Sequence, residues 1–180
     1  MTDGLKLTGA ERRQQLLAWL KESEAPLTGS ELAKRASVSR QVIVQDISLL
    51  KAKNEPIIAT SQGYVYLRSA LGKKQPVQRI IACDHEPEKT EEELNLIVDF
   101  GVTVKDVTIE HPVYGDLTAS IRVSTRKEVS DFVKKISSTN AAYLSQLTNG
   151  THLHTLEADD EEKIEQACDA LQKAGILIPE

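Results

Sequence analysis

Aromatic side chains are scarce: one Trp, four Tyr and two Phe in 180 residues. Any core is therefore built mainly from Leu, Ile, Val and Ala. Cysteine is nearly absent, with only Cys83 and Cys168. Two thiols cannot make a disulfide framework, and a reducing cytoplasm is the expected compartment. No run of 18 consecutive apolar residues occurs, so no transmembrane helix is expected. The start, Met1-Thr2-Asp3-Gly4, lacks the basic region and apolar core of a secretory signal. Internal repeats and low-complexity tracts are missing as well. A 40% hydrophobic and 27% charged composition is that of an ordinary globular chain.

The net charge of -5 hides an asymmetry. Residues 1–70 carry ten Lys/Arg against seven Asp/Glu, whereas residues 71–180 carry twelve against twenty. A mildly basic front suits a polyanion and an acidic back suits a cation, although surface charge also serves solubility. Residues 71–76, with Gly72, two lysines and Pro76, have linker chemistry between the two parts. The expected division is 1–70, a linker at 71–76, and 77–180.

The front part predicts three helices and a hairpin. Residues 11–22 carry Leu16, Leu17, Trp19 and Leu20 among charges, the pattern of a helix with one apolar stripe. Pro26 stops it. Thr28 or Ser30 can cap a short helix through Leu32, Ala33 and Ala36, and Ser39 a third helix over 40–54. Residues 56–60 and 63–67 flank Ser61-Gln62 as a hairpin. Helix, turn, helix and hairpin in this order match a winged helix-turn-helix. In it Ser39, Arg40, Gln41, Gln45 and Ser48 lie on the outer face of the recognition helix. Arg40 can pair with guanine and either Gln with adenine. Lys34, Arg35 and Lys51 suit phosphates, and Gln62 and Arg68 lie on or beside the wing. The plainer alternative is a small helical domain for protein contact. Position 45 is Gln where such modules often carry Arg before the Asp-Ile pair, so one cationic contact is missing.

The back part predicts strands at 77–83, 102–109, 117–123 and 151–156, with helices at 90–100, 130–144 and 159–174. His111-Pro112-Val113-Tyr114-Gly115-Asp116 is expected as a loop. The order βαββαβα fits an α+β sandwich, an antiparallel sheet with helices on one face.

Within that order His152 and His154, two apart on a strand, leave the same face. His85 at the end of the first strand and Glu93 in the following helix can join them if the first and last strands are neighbours. Three imidazoles and a carboxylate suit zinc, nickel, copper or iron rather than calcium. Two readings need no metal: Thr90-x-x-Glu93 is also a capping box, and His-x-His on a strand can be a plain surface pair. Cys83, two residues before His85, is a substitute ligand or simply a small buried residue.

His85, the His111-Pro112-Val113-Tyr114-Gly115 loop and His152-Leu153-His154, placed behind a winged helix, resemble the niacin-responsive transcriptional repressors with a three-histidine (3H) domain. The resemblance covers nearly the whole chain. It implies a bacterial repressor of genes for NAD synthesis or niacin uptake, with nicotinic acid as effector and operator DNA as partner. It also implies a homodimer, a back domain like the phosphocarrier HPr, and a divalent transition metal, nickel or zinc first. By position, His85, Glu93, His152 and His154 match that family's metal ligands. His111, with Tyr114, either lines the effector pocket or caps a turn. Arg79, Lys105 and Arg122 are further candidates for helping to hold an anion.

Three other functions compete. A metal-dependent hydrolase would use the same cluster to activate water, but no nucleophile elbow or phosphate loop accompanies it. An HPr-like phosphocarrier would use His85 at a helix N-terminus, against which stands the crowd of glutamates that follows. A protein-interaction adaptor would need neither metal nor sequence-specific DNA.

Overall fold

The computed structural model describes residues 7–67 and 75–179. Residues 71–74 of the expected linker, and Arg68, lie outside them. The chain divides into two units, Met1–Leu71 and Gly72–Glu180, each with its own core.

In the first unit, short polar caps start all three helices. Thr8 and Glu11 form a capping box ahead of α1 (Gly9–Glu22), and Thr28 and Glu31 repeat it ahead of α2 (Gly29–Arg35). Of the two expected caps for α2, Thr28 is the one used. Ser39 caps α3 (Arg40–Ala52). β1 (Ile57–Thr60) and β2 (Gly63–Tyr66) form the expected hairpin. Leu27 bridges to Tyr64 through both backbone bonds, adding a third edge to the hairpin. That approach requires Gly63: its φ is +136°, and a Cβ there would stand 2.6 Å from the Leu27 carbonyl oxygen. Leu16, Leu20, Leu32, Ile43, Ile47 and Leu50 close the core.

One charge sits inside this unit. Asp46, on the inner face of α3, is buried and accepts from Arg12 Nε at 2.5 Å and Arg13 Nη1 at 3.2 Å. The pair ties the third helix to the first. Asp46→Ala is expected to destabilise the unit by about 2 kcal/mol, because the arginines can rehydrate but the tie is gone. Denaturant unfolding followed through Trp19, the chain's single Trp and a neighbour of this core, checks it. An unchanged midpoint would show that the tie contributes nothing.

The second unit begins with β3 (Val77–Asp84), a 3-10 turn (Pro87–Lys89) and α4 (Thr90–Val98). β4 (Thr103–His111), β5 (Gly115–Ala119) and α5 (Arg126–Thr139) follow. A second 3-10 turn (Leu144–Thr148), β6 (Thr151–Ala158) and α6 (Glu161–Lys173) complete it. The strands pair antiparallel in the order β3-β6-β4-β5. The first and last strands are therefore neighbours. In β6, His152, His154, Leu156 and Ala158 are buried while Thr151 and Leu153 are exposed. That alternation marks a sheet covered on one face, and α4 packs against both other helices on that side.

Several boundaries depart from the sequence pattern. α5 starts four residues before the expected position, because Thr125 and Glu128 form a capping box. It stops five residues early at Asn140, whose φ of 52° cannot continue a right-handed helix. The expected loop at 111–116 is a tight hairpin: β4 runs to His111, which pairs with Gly115. β5 is correspondingly early, and of the expected strand 117–123 the end only touches the sheet, through a single Val123–Val104 bridge. α4 stops at Val98, two residues short of Phe100, and Gly101 then turns the chain at φ +73°. Thr90 does not cap α4. It lies inside the helix at φ -59° and ψ -42°, with Lys89 at the cap.

Candidate functional site

Four polar side chains meet beneath the sheet of the second unit. His85 leaves the end of β3, Glu93 points up from the first turn of α4, and His152 and His154 point down from β6. The β3–β6 register sets Cys83 opposite His152 and Ile81 opposite His154. All four side chains are almost fully enclosed, Glu93 at 1% exposure. His85 Nε2 lies 2.8 Å from Glu93 Oε2 and His152 Nε2 lies 3.1 Å from Oε1. His154 Nε2 stands 3.3 Å from Oε2 and makes no hydrogen bond. The His152 ring is near perpendicular to the other two, at 86° and 83°.

The opposite ring nitrogens decide the chemistry. His85 Nδ1 faces the Glu86 carbonyl at 2.8 Å, His152 Nδ1 the Gly150 carbonyl at 2.7 Å, and His154 Nδ1 the Asp106 carbonyl at 2.7 Å. A carbonyl only accepts, so each Nδ1 carries its proton and donates it. Each neutral ring then presents a bare Nε2 lone pair to a carboxylate that also only accepts. Acceptors at 2.8–3.3 Å repel unless positive charge lies among them. Burial opposes the charged form of His85 and of His154, but Glu93 prevails and raises both. Burial likewise pushes the Glu93 carboxyl up, and the charge of His154 with hydrogen bonds from His152 and His85 more than reverses this, holding it well below the usual range. Protonating every ring would bury an excess of positive charge, which is costly. A single divalent cation instead accepts all three Nε2 lone pairs and the Glu93 carboxylate while every ring stays neutral. Imidazoles held by backbone carbonyls through Nδ1 are the usual outer shell of a histidine metal site.

The donor set therefore fits a borderline transition metal. Cys83 lies at its edge: its Sγ, Glu93 and His152 offer ligand atoms within 4.8 Å of one another. Burial, then the Glu93 charge, push the thiol strongly up, and a protonated thiol is a poor ligand.

The remaining candidates fall elsewhere. His111 and Tyr114 stack at 5.0 Å on the β4–β5 hairpin tip, where Tyr114 is 75% exposed. His111 Nδ1 accepts from the amides of Val113 and Tyr114, both at 3.2 Å, so it caps the turn. Neither residue lines the cavity at Glu93. Arg79 is engaged by Glu161 and Glu165, and the Arg122 amide bonds the Lys105 carbonyl. With both ring nitrogens of the enclosed His85 committed, its geometry does not suit a phosphorylation site. The capping-box explanation of Glu93 also fails, since its carboxylate is spent on the three histidines and Thr90 is not a cap.

In the first unit Ser39, Arg40, Gln41, Gln45 and Ser48 are all exposed along one side of α3, and Lys34 and Lys51 are exposed too. Arg35 lies over the Trp19 ring at 5.9 Å. Gln62 sits half-buried at the hairpin turn. The Arg40 side chain passes Gly29 closely, where an added Cβ would meet it at 3.4 Å.

Sequence reasoning missed the three carbonyls at Glu86, Asp106 and Gly150, because backbone acceptors have no residue signature. It also missed Asp46 as the partner of Arg12 and Arg13. A lone acidic residue among the apolar positions of α3 is the signal that could have revealed it.

Comparison with known proteins matches residues 78–180 to the 3H domain family and residues 12–65 to an HTH domain family. The chain is 75% identical over 178 residues to "Transcription repressor NadR" of Bacillus subtilis (strain 168), covering 99% of each chain. It is 42% identical over 176 residues to "Probable transcription repressor NiaR" of Thermotoga maritima, covering 98% of each. Among the described residues no helix is long and apolar enough to cross a membrane.

Proposed function

Since the chain belongs to the family of transcription repressors that join an HTH domain to a 3H domain, we propose that it represses genes of NAD synthesis or niacin uptake in a bacterial cytoplasm, with nicotinic acid as effector. It is not an enzyme: its relatives are repressors by name. The observation that carries the effector half is the set of three bare Nε2 atoms facing one buried carboxylate. His85, Glu93, His152 and His154 would hold a divalent transition metal, nickel or zinc. When bound, such an ion supplies positive charge that an otherwise acidic unit lacks for attracting a carboxylate.

The chain's own residues do the rest. Glu86, Asp106 and Gly150 fix the three rings through their carbonyls, so the site is set before ligand arrives. In the first unit the exposed side of α3 enters the major groove. Arg40, Gln41 and Gln45 read base edges, Ser39 and Ser48 flank them, and Lys34, Arg35, Lys51 and Gln62 position the backbone. Two copies acting as a homodimer meet half-sites one helical turn, or a multiple, apart. Nicotinate shifts the equilibrium only by its difference in affinity for the DNA-competent and incompetent states.

The test titrates nicotinate into metal-loaded protein and operator DNA, with and without chelator. Operator affinity is expected to change roughly 5- to 150-fold with nicotinate, and chelation is expected to abolish the change. Equal affinity in all four conditions would refute the proposal.

A further inference from the structure

We propose that Thr90 is the side chain that hydrogen-bonds the effector at the metal centre. This deepens the nicotinate reading above and rests on it. Thr90 is 7% exposed, and its Oγ1 is buried without any hydrogen-bond partner. Buried hydroxyls in folded proteins are nearly always paired, so a lone one needs an explanation. Its position supplies one. Thr90 precedes Glu93 by three residues in α4 and shares its face. Both line a cavity bounded also by Phe132, Tyr143, Ser145 and His154.

The chemistry of that cavity is specific. Its lining includes Glu93, His152 and His154. It is also aromatic, with the Phe132 and Tyr143 rings 6.2 Å apart and inclined at 59°. In the same lining the Thr90 hydroxyl has a proton to donate and no acceptor among the described residues. A small planar monocarboxylate answers each part: an acceptor for Thr90, negative charge for the metal end, a flat apolar body for the rings. The volume is about 40 Å³, room for roughly three waters at 10–15 Å³ each. A carboxylate fits as it stands. The ring behind it requires Phe132 and Tyr143 to part, so ligand entry moves the 3-10 turn that Tyr143 introduces.

Thr90→Val tests this cleanly. Valine keeps the shape and the β-branch and removes only the hydroxyl. Nicotinate is titrated calorimetrically into zinc-loaded full-length protein, and metal content and thermal midpoint are measured alongside. Thr90→Val is expected to bind nicotinate about ten- to a hundredfold more weakly, with metal content unchanged and a midpoint no lower than wild type. Thr90→Ser, which keeps the hydroxyl, should stay within about threefold of wild type. Wild-type affinity in Thr90→Val overturns the inference, leaving the hydroxyl to an ordered water while the nicotinate reading stands. Absence of nicotinate binding to the wild type overturns both. Should Thr90→Val lose metal, Thr90→Ala decides, and undiminished affinity there overturns the inference.

Discussion

Glu93→Gln is expected to strip the protein of most of its metal affinity and to cost about 3–5 kcal/mol of stability. The side chain is the common partner of three imidazoles that come from two other elements. An amide in its place has no charge, and its NH2 can satisfy only part of what the carboxylate meets. In the metal-free protein Glu93 raises the proton affinity of His85 and His154 against the opposing effect of burial. Removing it takes away the one negative charge that these buried rings face. With metal, one anionic ligand is gone, and affinity should fall by at least about a hundredfold. Glu91→Gln, an exposed change in the first turn of the same helix, is the control and should leave both quantities alone. Competition with a chromogenic chelator gives the affinity and urea unfolding the stability. A Glu93→Gln protein with wild-type metal affinity would remove this carboxylate from the centre.

Gly150→Ala is expected to damage the same centre from a residue that ligates nothing. Gly150 stands at φ +108°, where an L side chain is strained by about 1–3 kcal/mol. An added Cβ would stand 2.7 Å from the His85 carbonyl oxygen and 2.8 Å from Asp84 Oδ1. The strand end that delivers His85 must then move. The Gly150 carbonyl is also the acceptor that orients His152. One methyl group thus displaces two ligands, and metal affinity should drop about 10–100-fold. Gly115→Ala separates backbone strain from this local effect. Gly115 has φ +70° but nothing within 4 Å of an added Cβ. Its substitution should lower stability by about 1 kcal/mol and leave metal affinity unchanged. Equal metal affinity in the Gly150 and Gly115 variants would mean that Gly150 does not position the ligands.

Much of the architecture was readable because the devices that set it are local. Capping residues at Thr28 and Ser39, the alternation in β6 and the two-residue turn at Ser61-Gln62 act over a few positions, and a linear scan detects them. Errors arose where a local device was overlooked or had two meanings. The Thr125–Glu128 box starts α5 at Arg126, ahead of the position that apolar periodicity suggests. The Thr90–Glu93 spacing allowed both a cap and a ligand, and periodicity cannot separate those.

The amino-acid order alone determined that His152 and His154 share a face, that the front is basic and the back acidic, and that a support helix precedes a polar-faced one. Tertiary structure decided what those side chains do. The neighbouring placement of β3 and β6 brings His85 within reach of residues some seventy positions away. Three carbonyls on three different segments then assign the protons, and the hairpin keeps His111 out of the lining of the Glu93 cavity. Hydrogen-bond direction and burial belong to atoms that meet only when the chain has closed on itself, so no spacing along it could have settled them.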